Sequence, residues 1–383
     1  TGIGATTVEL NAKRNSIIVE PLKVTASTKA AQSKHPSLEL LYVGSTTINH
    51  TKKTSDQDIE KFLLSKNLKF KKIIVVSDSL KRVMELLKKH KIDDYFLAID
   101  ESDTMQTDAI FRGSMESCYE LYKEYPNKNR CLVTATQIEF NDPDLAKEQV
   151  TNITYKNPVS RSITINYSDN ILGATLEKIE ELHLKHPSEK IVVAYNNVIK
   201  LKDLAIDIEK KLSLAVKDIC ILCGGSSKKT ADVYFKELES TFLPAKINLI
   251  TSAYHTGYDL KERYHLITVI DNTDPINCLS VSRIKQIAGR CRYLKGLFSE
   301  NIIYRFKKPP GVLKKITLED LVDAANTEIK ALNCLTDNFG KSTILNDQIL
   351  NIRKLITDDV TYLGYPLVSI NSKGESQISY LNI

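Results

Sequence analysis

Short, continuous apolar runs alternate with amphipathic segments along most of this chain, and this alternation restricts its fold more than any other feature. Runs of Val, Ile and Leu of this length are typical of strands that are buried on both faces. Strands that alternate with helices predict parallel sheets covered by helices, so we expect an α/β fold with doubly wound sheets. The predicted strands are Ser16–Glu20, Lys72–Val76, Phe96–Ile99, Cys131–Thr134, Lys190–Tyr195, Ile219–Cys223, Ile247–Thr251, Leu266–Ile270 and Asn301–Tyr304.

The strands fall into two series, and the break between them predicts where one domain ends. At 383 residues the chain is long enough for two or three domains. Polar residues and Pro158 interrupt the pattern near Asn152–Ile163, and Pro309 and Pro310 follow the last predicted strand. We therefore expect one lobe over residues 1–152, a second over residues 163–308, and a small C-terminal α/β extension over residues 311–383.

The C-terminal extension carries no motif that we can assign, but its local pattern predicts secondary structure. Thr317 with Asp320 has the spacing of a helix start, because each side chain can bond the backbone N–H of the other. The predicted elements are a helix over Leu318–Leu332, a helix over Ile344–Ile356 and a β-hairpin region over Val360–Leu381 with Gly374 near its turn.

Composition excludes a membrane-spanning protein and leaves most other classes open. No apolar run approaches the ~18 residues that a membrane span needs, so we expect no membrane partner. The net charge of +6, from 53 basic and 47 acidic residues, is too small to decide for or against nucleic-acid binding. The chain opens with Thr1 rather than methionine, so we expect a fragment or a processed form.

The cysteines indicate reduced thiols. Their number is seven, which does not suggest a disulfide framework. Cys220 and Cys223 have the C-x-x-C spacing of some zinc and redox sites, but they lie in an apolar strand-like run without a second pair. We therefore predict buried strand cysteines and a cytoplasmic protein.

One strand ends in carboxylates that suit metal-assisted phosphoryl transfer. The segment Phe96–Asp103 reads FLAIDESD and places Asp100 and Glu101 directly after an apolar run. In such an arrangement the first carboxylate holds Mg²⁺ and the second polarises the attacking water. Taken alone, the segment is more typical of a solvated turn after a core strand, so its meaning depends on its neighbours.

Five further segments occur in a fixed order around FLAIDESD, and together they resemble a known family. The phosphate-loop-like TGIGATT begins at Thr1, and SIIVEPLKVTAS at Ser16 follows. LVTATQ begins at Leu132, LITSAYHTGYDL at Leu249 and QIAGRCR at Gln286. In order, spacing and strand context these segments resemble motifs I, Ia, II, III, V and VI of superfamily 2 helicases of the DEAD/DEAH type. The resemblance covers residues 1–304 and implies two RecA-like lobes.

The resemblance implies an ATP and Mg²⁺ site on the first lobe. Gly2 and Gly4 would shape a loop whose backbone N–H groups bind phosphate, and Thr6 would contact Mg²⁺. Asp100 would hold the same Mg²⁺, and Glu101 would orient the lytic water. These residues carry the predicted binding of the cofactor and the predicted hydrolysis.

On the second lobe the resemblance implies residues that approach the nucleotide. Gly257 and Asp259 belong to motif V, and Gln286, Arg290 and Arg292 belong to motif VI. Arg290 would act as the arginine finger on the γ-phosphate, a role that contributes about 10³–10⁵ in rate. Arg292 falls one residue short of the usual second arginine, so both a phosphate contact and a surface ion pair stay open for it.

Position 5 departs from the family pattern. The family's loop reads T-G-x-G-K-T, and Ala5 stands where the lysine is expected. Lys13 and Arg14 lie about two turns further along the predicted helix, so either could replace that lysine only with difficulty. The strand that should precede the loop is also missing, and we expect the first lobe to lack a central strand.

The expected partner is nucleic acid, either DNA or RNA, bound through its backbone. Thr134 and Thr136 in LVTATQ would couple the nucleotide site to the nucleic-acid groove. Arg283, Lys285 and Lys295 are further candidates for phosphate contact, whereas Lys66, Lys69, Lys71 and Lys72 are expected to form a solvated loop face. The sequence does not indicate an oligomeric state.

Two functions remain open from the sequence. The first is a nucleic-acid-dependent ATPase or helicase, which the joint presence of Asp100, Glu101 and Arg290 favours. The second is a degenerate helicase-like clamp that binds nucleic acid without ATP turnover, because Ala5 carries no charge for the phosphates. The histidines have no metal-ligand spacing, and His186 is expected to end a helix without a chemical role. His255 in motif V could contact phosphate or couple the two sites, but a polar loop residue is the expected interpretation.

Overall fold

The chain contains two compact units. The computed structural model describes residues 4–32, 39–47, 49–108, 113–136, 139–154, 161–255, 258–273, 277–307, 316–339, 361–362, 365–370 and 375–380. One unit is built on Thr6–Asn152 together with the C-terminal Gly311–Ile383, and the other on Ile153–Pro310 together with Thr1–Ala5. They are called the first and the second unit below. The predicted domain boundaries stay predictions.

The first unit contains a five-stranded sheet in the order β2-β3-β1-β4-β5, and every neighbouring pair is parallel. Its central strand carries Ile17, Ile18 and Val19, which are at most 1% exposed. Full burial of such side chains contributes about 1.5–3 kcal/mol each, so this strand anchors the sheet. The strands are β1 Asn15–Glu20, β2 Leu40–Val43, β3 Lys72–Val76, β4 Tyr95–Ile99 and β5 Arg130–Leu132.

Among the described residues of this unit, six helices accompany the sheet. The predicted face of the fourth helix, formed by Leu80, Val83, Met84 and Leu87, is buried in the core, which confirms it. The helices are α1 Ala5–Asn11, α2 Lys23–Gln32, α3 Asp56–Leu64, α4 Leu80–Lys89, α5 Ser102–Asp108 and α6 Gly113–Glu124.

The second unit contains a seven-stranded parallel sheet in the order β6-β12-β11-β7-β10-β8-β9. Cys220 lies on β8 and Cys223 directly follows it, and both thiols are buried as predicted. The strands are β6 Ile163–Tyr167, β7 Lys190–Ala194, β8 Ile219–Leu222, β9 Phe235–Lys236, β10 Ile247–Ile250, β11 Tyr264–Asp271 and β12 Ser299–Arg305. The helices are α7 Ile171–Lys185, α8 Val198–Leu212, α9 Lys228–Ala231 and α10 Val281–Ala288.

The C-terminal extension is a helix with short antiparallel strand pairs. Helix α11 spans Leu318–Phe339, and its predicted start is confirmed because Thr317 and Asp320 exchange backbone and side-chain hydrogen bonds. The predicted helix Ile344–Ile356 and Gly374 lie outside the described residues. The strands are β13 Thr361–Tyr362 paired with β14 Tyr365–Pro366, and β15 Val368–Ile370 paired with β16 Ser376–Ile378.

The predicted fold class is confirmed, with differences in detail. Both larger sheets are parallel and carry helices, as the alternating pattern indicates. Strands β2, β6 and β9 were not predicted, and β5 ends at Leu132 rather than Thr134. Strand β6 is exposed along most of its length, so it lacks the continuous apolar run by which the other strands are recognised. Among the described residues, no helix combines the length and the apolar character needed to cross a membrane.

Lys72 contradicts the prediction of a solvated lysine face. It is fully buried on β3, and its Nζ donates to the carbonyl oxygens of Glu9 and Ala12 and to Ser16 Oγ, each at 2.8–2.9 Å. The last carbonyls of a helix have no partner within the helix, and a buried ammonium group satisfies them here. Lys66 is exposed as expected. Lys72 therefore fixes the end of α1 against the sheet.

Replacing Lys72 by methionine should destabilise the first unit. Lys72→Met retains the length of the side chain but removes the three hydrogen bonds of a buried ammonium group, although the Glu9 and Ala12 carbonyls keep their backbone donors, so we expect a loss of about 1–3 kcal/mol in the free energy of unfolding. Urea unfolding followed by circular dichroism measures the change. The exposed control Lys66→Met should stay within about 0.5 kcal/mol of the wild type. Equal stability of the two variants would contradict a capping role for Lys72.

Candidate active site

Two acidic residues meet at one edge of the first sheet because their strands are parallel neighbours. Strands β1 and β4 pair in register, with Val19 opposite Ile99. Glu20 follows Val19 and Asp100 follows Ile99, and the Asp100 N–H donates to the Val19 carbonyl at 2.9 Å. The carboxyl ends of parallel strands lie at one edge of the sheet, which is where ligands bind in open α/β sheets.

The ammonium group of Lys29 lies between these two carboxylates. Helix α2 carries Lys29, and its Nζ donates to Glu20 Oε1 and to Asp100 Oδ2, each at 2.8 Å. The same Nζ is 3.1 Å from Thr6 Oγ1, and the Thr6 hydroxyl donates to Asp100 Oδ2. Thr6 lies on α1, Lys29 on α2 and Glu20 on β1, and Asp100 directly follows β4. We call Thr6, Glu20, Lys29 and Asp100 the acidic-edge cluster.

The charges in this cluster are strongly coupled. Burial raises the pKa of Glu20 to about 8, against the opposing effect of Lys29. Burial would also raise the pKa of Asp100, but the charge and hydrogen bond of Lys29 outweigh it and hold that pKa below its ordinary value. Burial would lower the pKa of Lys29, but the two carboxylates raise it. At neutral pH Asp100 is therefore ionised and Lys29 protonated.

The loop before α1 has the conformation that its glycine permits. Gly4 has φ +79°, a left-handed value that residues with a side chain adopt only with strain. Ala5 follows as the first residue of α1. Gly2 lies outside the described residues. The neutral Ala5 side chain brings no charge to the cluster.

The two basic residues considered from the sequence as replacements for the missing lysine are placed elsewhere. The Arg14 guanidinium pairs with Glu9 and stacks on the ring of Phe96, 3.4 Å from its centroid. Lys13 is exposed. The amine that accompanies Asp100 is Lys29, which the sequence did not single out.

Glu101 and Asp103 extend the site toward the segment LVTATQ. Glu101 has φ +49°, an uncommon value for a residue with a side chain, and its N–H donates to Asp100 Oδ1 at 2.9 Å. The buried Asp103 carboxylate accepts hydrogen bonds from the Thr134 and Thr136 hydroxyls at 2.6 and 2.5 Å. Asp103 therefore connects the two threonines of the predicted coupling segment to the turn that carries Asp100 and Glu101.

The acidic-edge cluster has the chemistry of a Mg²⁺ site. Mg²⁺ prefers oxygen ligands, and Thr6 Oγ1 and Asp100 Oδ2 already lie in contact. Glu20 Oε2 is buried without a hydrogen-bond partner among the described residues, so a further oxygen is available to a cation or to its bound water. The residues present thus fit the predicted metal, with Thr6 and Asp100 as its ligands.

In the second unit Arg290 is buried rather than exposed to a ligand. It is 2% exposed, and its guanidinium donates to the carbonyl oxygens of Gln286 and Tyr258 at 3.0 and 3.2 Å. Gln286 lies in the last turn of α10 and is buried as well, so Arg290 bonds a helix-end carbonyl. In this conformation Arg290 holds α10 and the segment around Tyr258 together. Its role as an arginine finger stays a prediction.

The other predicted residues of the second unit lie at its surface or outside the described residues. Arg292 Nε donates to Asp259 Oδ1 at 2.6 Å, so the two form a partly exposed ion pair. This agrees with the surface ion pair, which is one of the two roles left open for Arg292. Gly257 lies outside the described residues. The predicted roles of Asp259 and Gln286 at a nucleotide stay predictions.

His255 is buried, which contradicts its prediction as a polar loop residue. It is 1% exposed at the end of the turn that follows β10. Burial, followed by the nearby charge of Arg283, lowers the pKa of His255 to about 3. The ring is therefore neutral at physiological pH and packs as part of the core.

The second unit contains a separate group of residues whose side chains are of types that can bind a metal. His186, Glu189 and His265 have one ligand atom each within 4.8 Å of one another. His265 Nε2 lies 2.6 Å from Glu189 Oε2, and its Nδ1 lies 2.8 Å from Ser299 Oγ. His265 is 76 residues beyond Glu189 in the chain, so no spacing rule could find the group, and hydrogen bonds to Glu189 and Ser299 already satisfy the His265 ring.

The comparisons with known proteins support the fold. No profile of a known protein family matches the chain, and no curated protein matches it by sequence. The solved structure of the ATP-dependent Type ISP restriction-modification enzyme LlaBIII bound to DNA is 12% identical with a TM-score of 0.50. The match covers 86% of this chain and 28% of that one. At this identity the likeness shows the fold alone.

Two solved helicase structures are also similar. One is the DEAD-box helicase Mss116 bound to ssRNA and UDP-BeF, at 14% identity and TM-score 0.47, covering 92% of this chain and 78% of that one. The other is the Mycobacterium smegmatis helicase Lhr bound to ssDNA and AMP-PNP, at 14% identity and TM-score 0.49, covering 98% and 54%. The fold that the resemblance implies, with two parallel sheets that carry helices, is confirmed.

Acid should destabilise the second unit through His255. An unfolded histidine has a pKa near 6.5, and the folded value is about 3, so between these values only the unfolded state takes up the proton. Stability is therefore lost as the pH falls below about 6.5, at up to about 1.4 kcal/mol per pH unit. Between pH 7 and pH 5, urea unfolding should show a loss about 2 kcal/mol smaller in His255→Gln than in the wild type. Equal losses in both proteins would refute this assignment.

Proposed function

We propose that this protein is a nucleic-acid-dependent ATPase that moves along or remodels DNA or RNA. The observation that carries the proposal is the acidic-edge cluster, in which Thr6, Lys29 and Asp100 contact one another next to Glu101. Phosphoryl transfer needs a metal-binding carboxylate, a positive charge near the phosphates and a group that orients water. The first unit offers one residue for each requirement.

Each residue of the cluster has a distinct part in the proposed reaction. Thr6 and Asp100 hold Mg²⁺, which when bound neutralises the charge that develops on the phosphate oxygens. Glu101 accepts a hydrogen bond from the attacking water and orients it. The left-handed backbone of Glu101 and its N–H bond to Asp100 fix the direction in which the chain leaves β4. Asp100 stays ionised, as a metal ligand must.

The proposed coupling to nucleic acid depends on Asp103. Its two oxygens accept from Thr134 and Thr136, so a shift of the Asp100–Asp103 turn moves both hydroxyls. In the second unit Lys285 and Lys295 are exposed and available to phosphates. LlaBIII, which shares the fold, is bound to DNA. Backbone contacts of this kind are independent of sequence and weaken with salt.

A second function is favoured by one observation. Lys29 already neutralises Asp100 in the protein alone, and Ala5 offers no charge of its own. A helicase-like clamp that binds nucleic acid without turnover would retain this ion pair permanently. It predicts nucleic-acid binding that is unaffected by ATP and Mg²⁺.

Hydrolysis measurements distinguish the two functions. We expect Mg²⁺-dependent ATP hydrolysis that single-stranded DNA or RNA stimulates, measured as phosphate release with each nucleic acid in turn. Glu101→Gln should lower the rate about 10²–10⁴-fold, because it removes the group that orients and deprotonates water. The same variant should bind nucleic acid as tightly as the wild type.

The control for this experiment is a carboxylate outside the site. Glu60 pairs with Lys89 and His90 on neighbouring helices, so Glu60→Gln should hydrolyse ATP at the wild-type rate. A folded wild type that shows no more turnover than Glu101→Gln, but still binds nucleic acid, would exclude the ATPase and support the clamp.

A further inference from the structure

We infer that Lys29 supplies to a bound nucleoside triphosphate the positive charge that the loop lysine supplies in the related motif and that Ala5 lacks. The inference rests on the proposed ATPase function and concerns the same site. It assigns the charge to helix α2, from a position 24 residues after Ala5 in the chain. The ammonium group of Lys29 lies beside the loop and bonds the groups that would bind the metal. Arg14 and Lys72, which lie near the loop, bond other groups.

The ammonium group of Lys29 lies beside the loop position that lacks its lysine. Its Nζ is 3.1 Å from the hydroxyl of Thr6, and Thr6 directly follows Ala5. A lysine side chain is a flexible four-carbon stem with a point charge at its end, so the charge can serve a phosphate from a different backbone position. The geometry thus provides the charge without a lysine in the loop.

The partners of Lys29 are the groups that would bind the metal. Lys29 and Thr6 both donate to Asp100 Oδ2, and Thr6 and Asp100 are the proposed Mg²⁺ ligands. With a metal bound by Thr6 and Asp100, Lys29 would be able to exchange its bond to Asp100 for one to a phosphate oxygen. The side chain of Lys29 is 27% exposed, so part of it can be reached from solvent.

Glu20 explains why Lys29 is retained at this edge after it leaves Asp100. Its carboxyl group is completely buried and bonds Lys29 through Oε1 at 2.8 Å. An ammonium group that lost both carboxylates would be free to turn into solvent. Glu20 is therefore a positioning residue, which keeps Lys29 next to the phosphates.

Other basic residues near the loop are committed elsewhere. Arg14 pairs with Glu9 and stacks on a ring, and Lys72 bonds the carbonyl oxygens at the end of α1. Lys13 and Lys23 are exposed. Among the described residues of the first unit, Lys29 is the basic side chain that contacts both Thr6 and Asp100.

The test is a transfer of the lysine between the two positions. Three variants are compared with the wild type: Lys29→Ala, Ala5→Lys and the double variant Ala5→Lys with Lys29→Ala. Calorimetry measures the binding of a non-hydrolysable ATP analogue with Mg²⁺, and of AMP, to the full chain. Lys29→Ala should weaken the binding of the analogue about 10–100-fold, as expected for one lost charge-assisted hydrogen bond. AMP binding should stay within about twofold, because the lost contact is to the outer phosphates.

Restoration by the double variant is the decisive result. Ala5→Lys returns the charge to the usual position, so the double variant should recover affinity for the analogue to within a few-fold of the wild type. A purely structural role for Lys29 would not be repaired by a lysine at position 5. Because Lys29→Ala leaves Glu20 without its cation, Lys29→Gln serves as a second variant that retains a hydrogen-bond donor and lacks the charge.

Four outcomes would overturn the inference. Analogue affinity that is unchanged in both Lys29→Ala and Lys29→Gln would show that the charge is not used. An equal loss for the analogue and for AMP would show a general structural effect. A wild type that binds and hydrolyses ATP while the double variant stays as weak as Lys29→Ala would leave the ATPase function intact and remove this assignment. A wild type that binds no nucleotide would contradict both the ATPase function and the assignment of Lys29.

Discussion

The parallel pairing of β1 with β4 brings Glu20 and Asp100 to the same edge of the first sheet, and two buried carboxylates there require a cation. Like charges at this separation cannot both be ionised without a compensating positive charge. Lys29 provides it by bonding both carboxylates, and Thr6 joins the same Asp100 oxygen. The orientation of α2 and the start of α1 therefore depend on this one charge.

A buried ion pair contributes little net stability, because desolvation of both partners offsets their attraction. Apolar groups of the same volume in place of both partners would give the first unit a similar stability. What the Lys29–Asp100 pair provides instead is an anionic oxygen and a mobile cation beside one loop. Those are the two charges that a metal-bound triphosphate needs, and in the free protein each neutralises the other. The ion pair is thus better explained by ligand exchange than by stability.

The sequence allowed the sheets to be predicted, because continuous apolar runs report burial on both faces. It also placed Thr6, Asp100 and Glu101 at one site, because the order of the motifs constrains them jointly. It did not reveal Lys29, since the contact joins residues 71 positions apart and depends on how α2 packs on the sheet. Lys72 was missed for the same reason, because its acceptors lie on a helix more than 50 residues away in the chain.

Motif VI shows a different limit of prediction from sequence. Here the motif identifies a residue but does not predict the environment of its side chain. Arg290 matches the motif, yet its guanidinium bonds two backbone carbonyls and is 2% exposed. To reach a ligand it would have to give up both of these hydrogen bonds, and bonds from a charged donor contribute about 1.5–3 kcal/mol each. Arg292 instead forms a partly exposed ion pair with Asp259, and pairs of this kind contribute about 0–1 kcal/mol. The same motif therefore places one arginine in a buried network of backbone bonds and the other in an ion pair that exchanges partners easily.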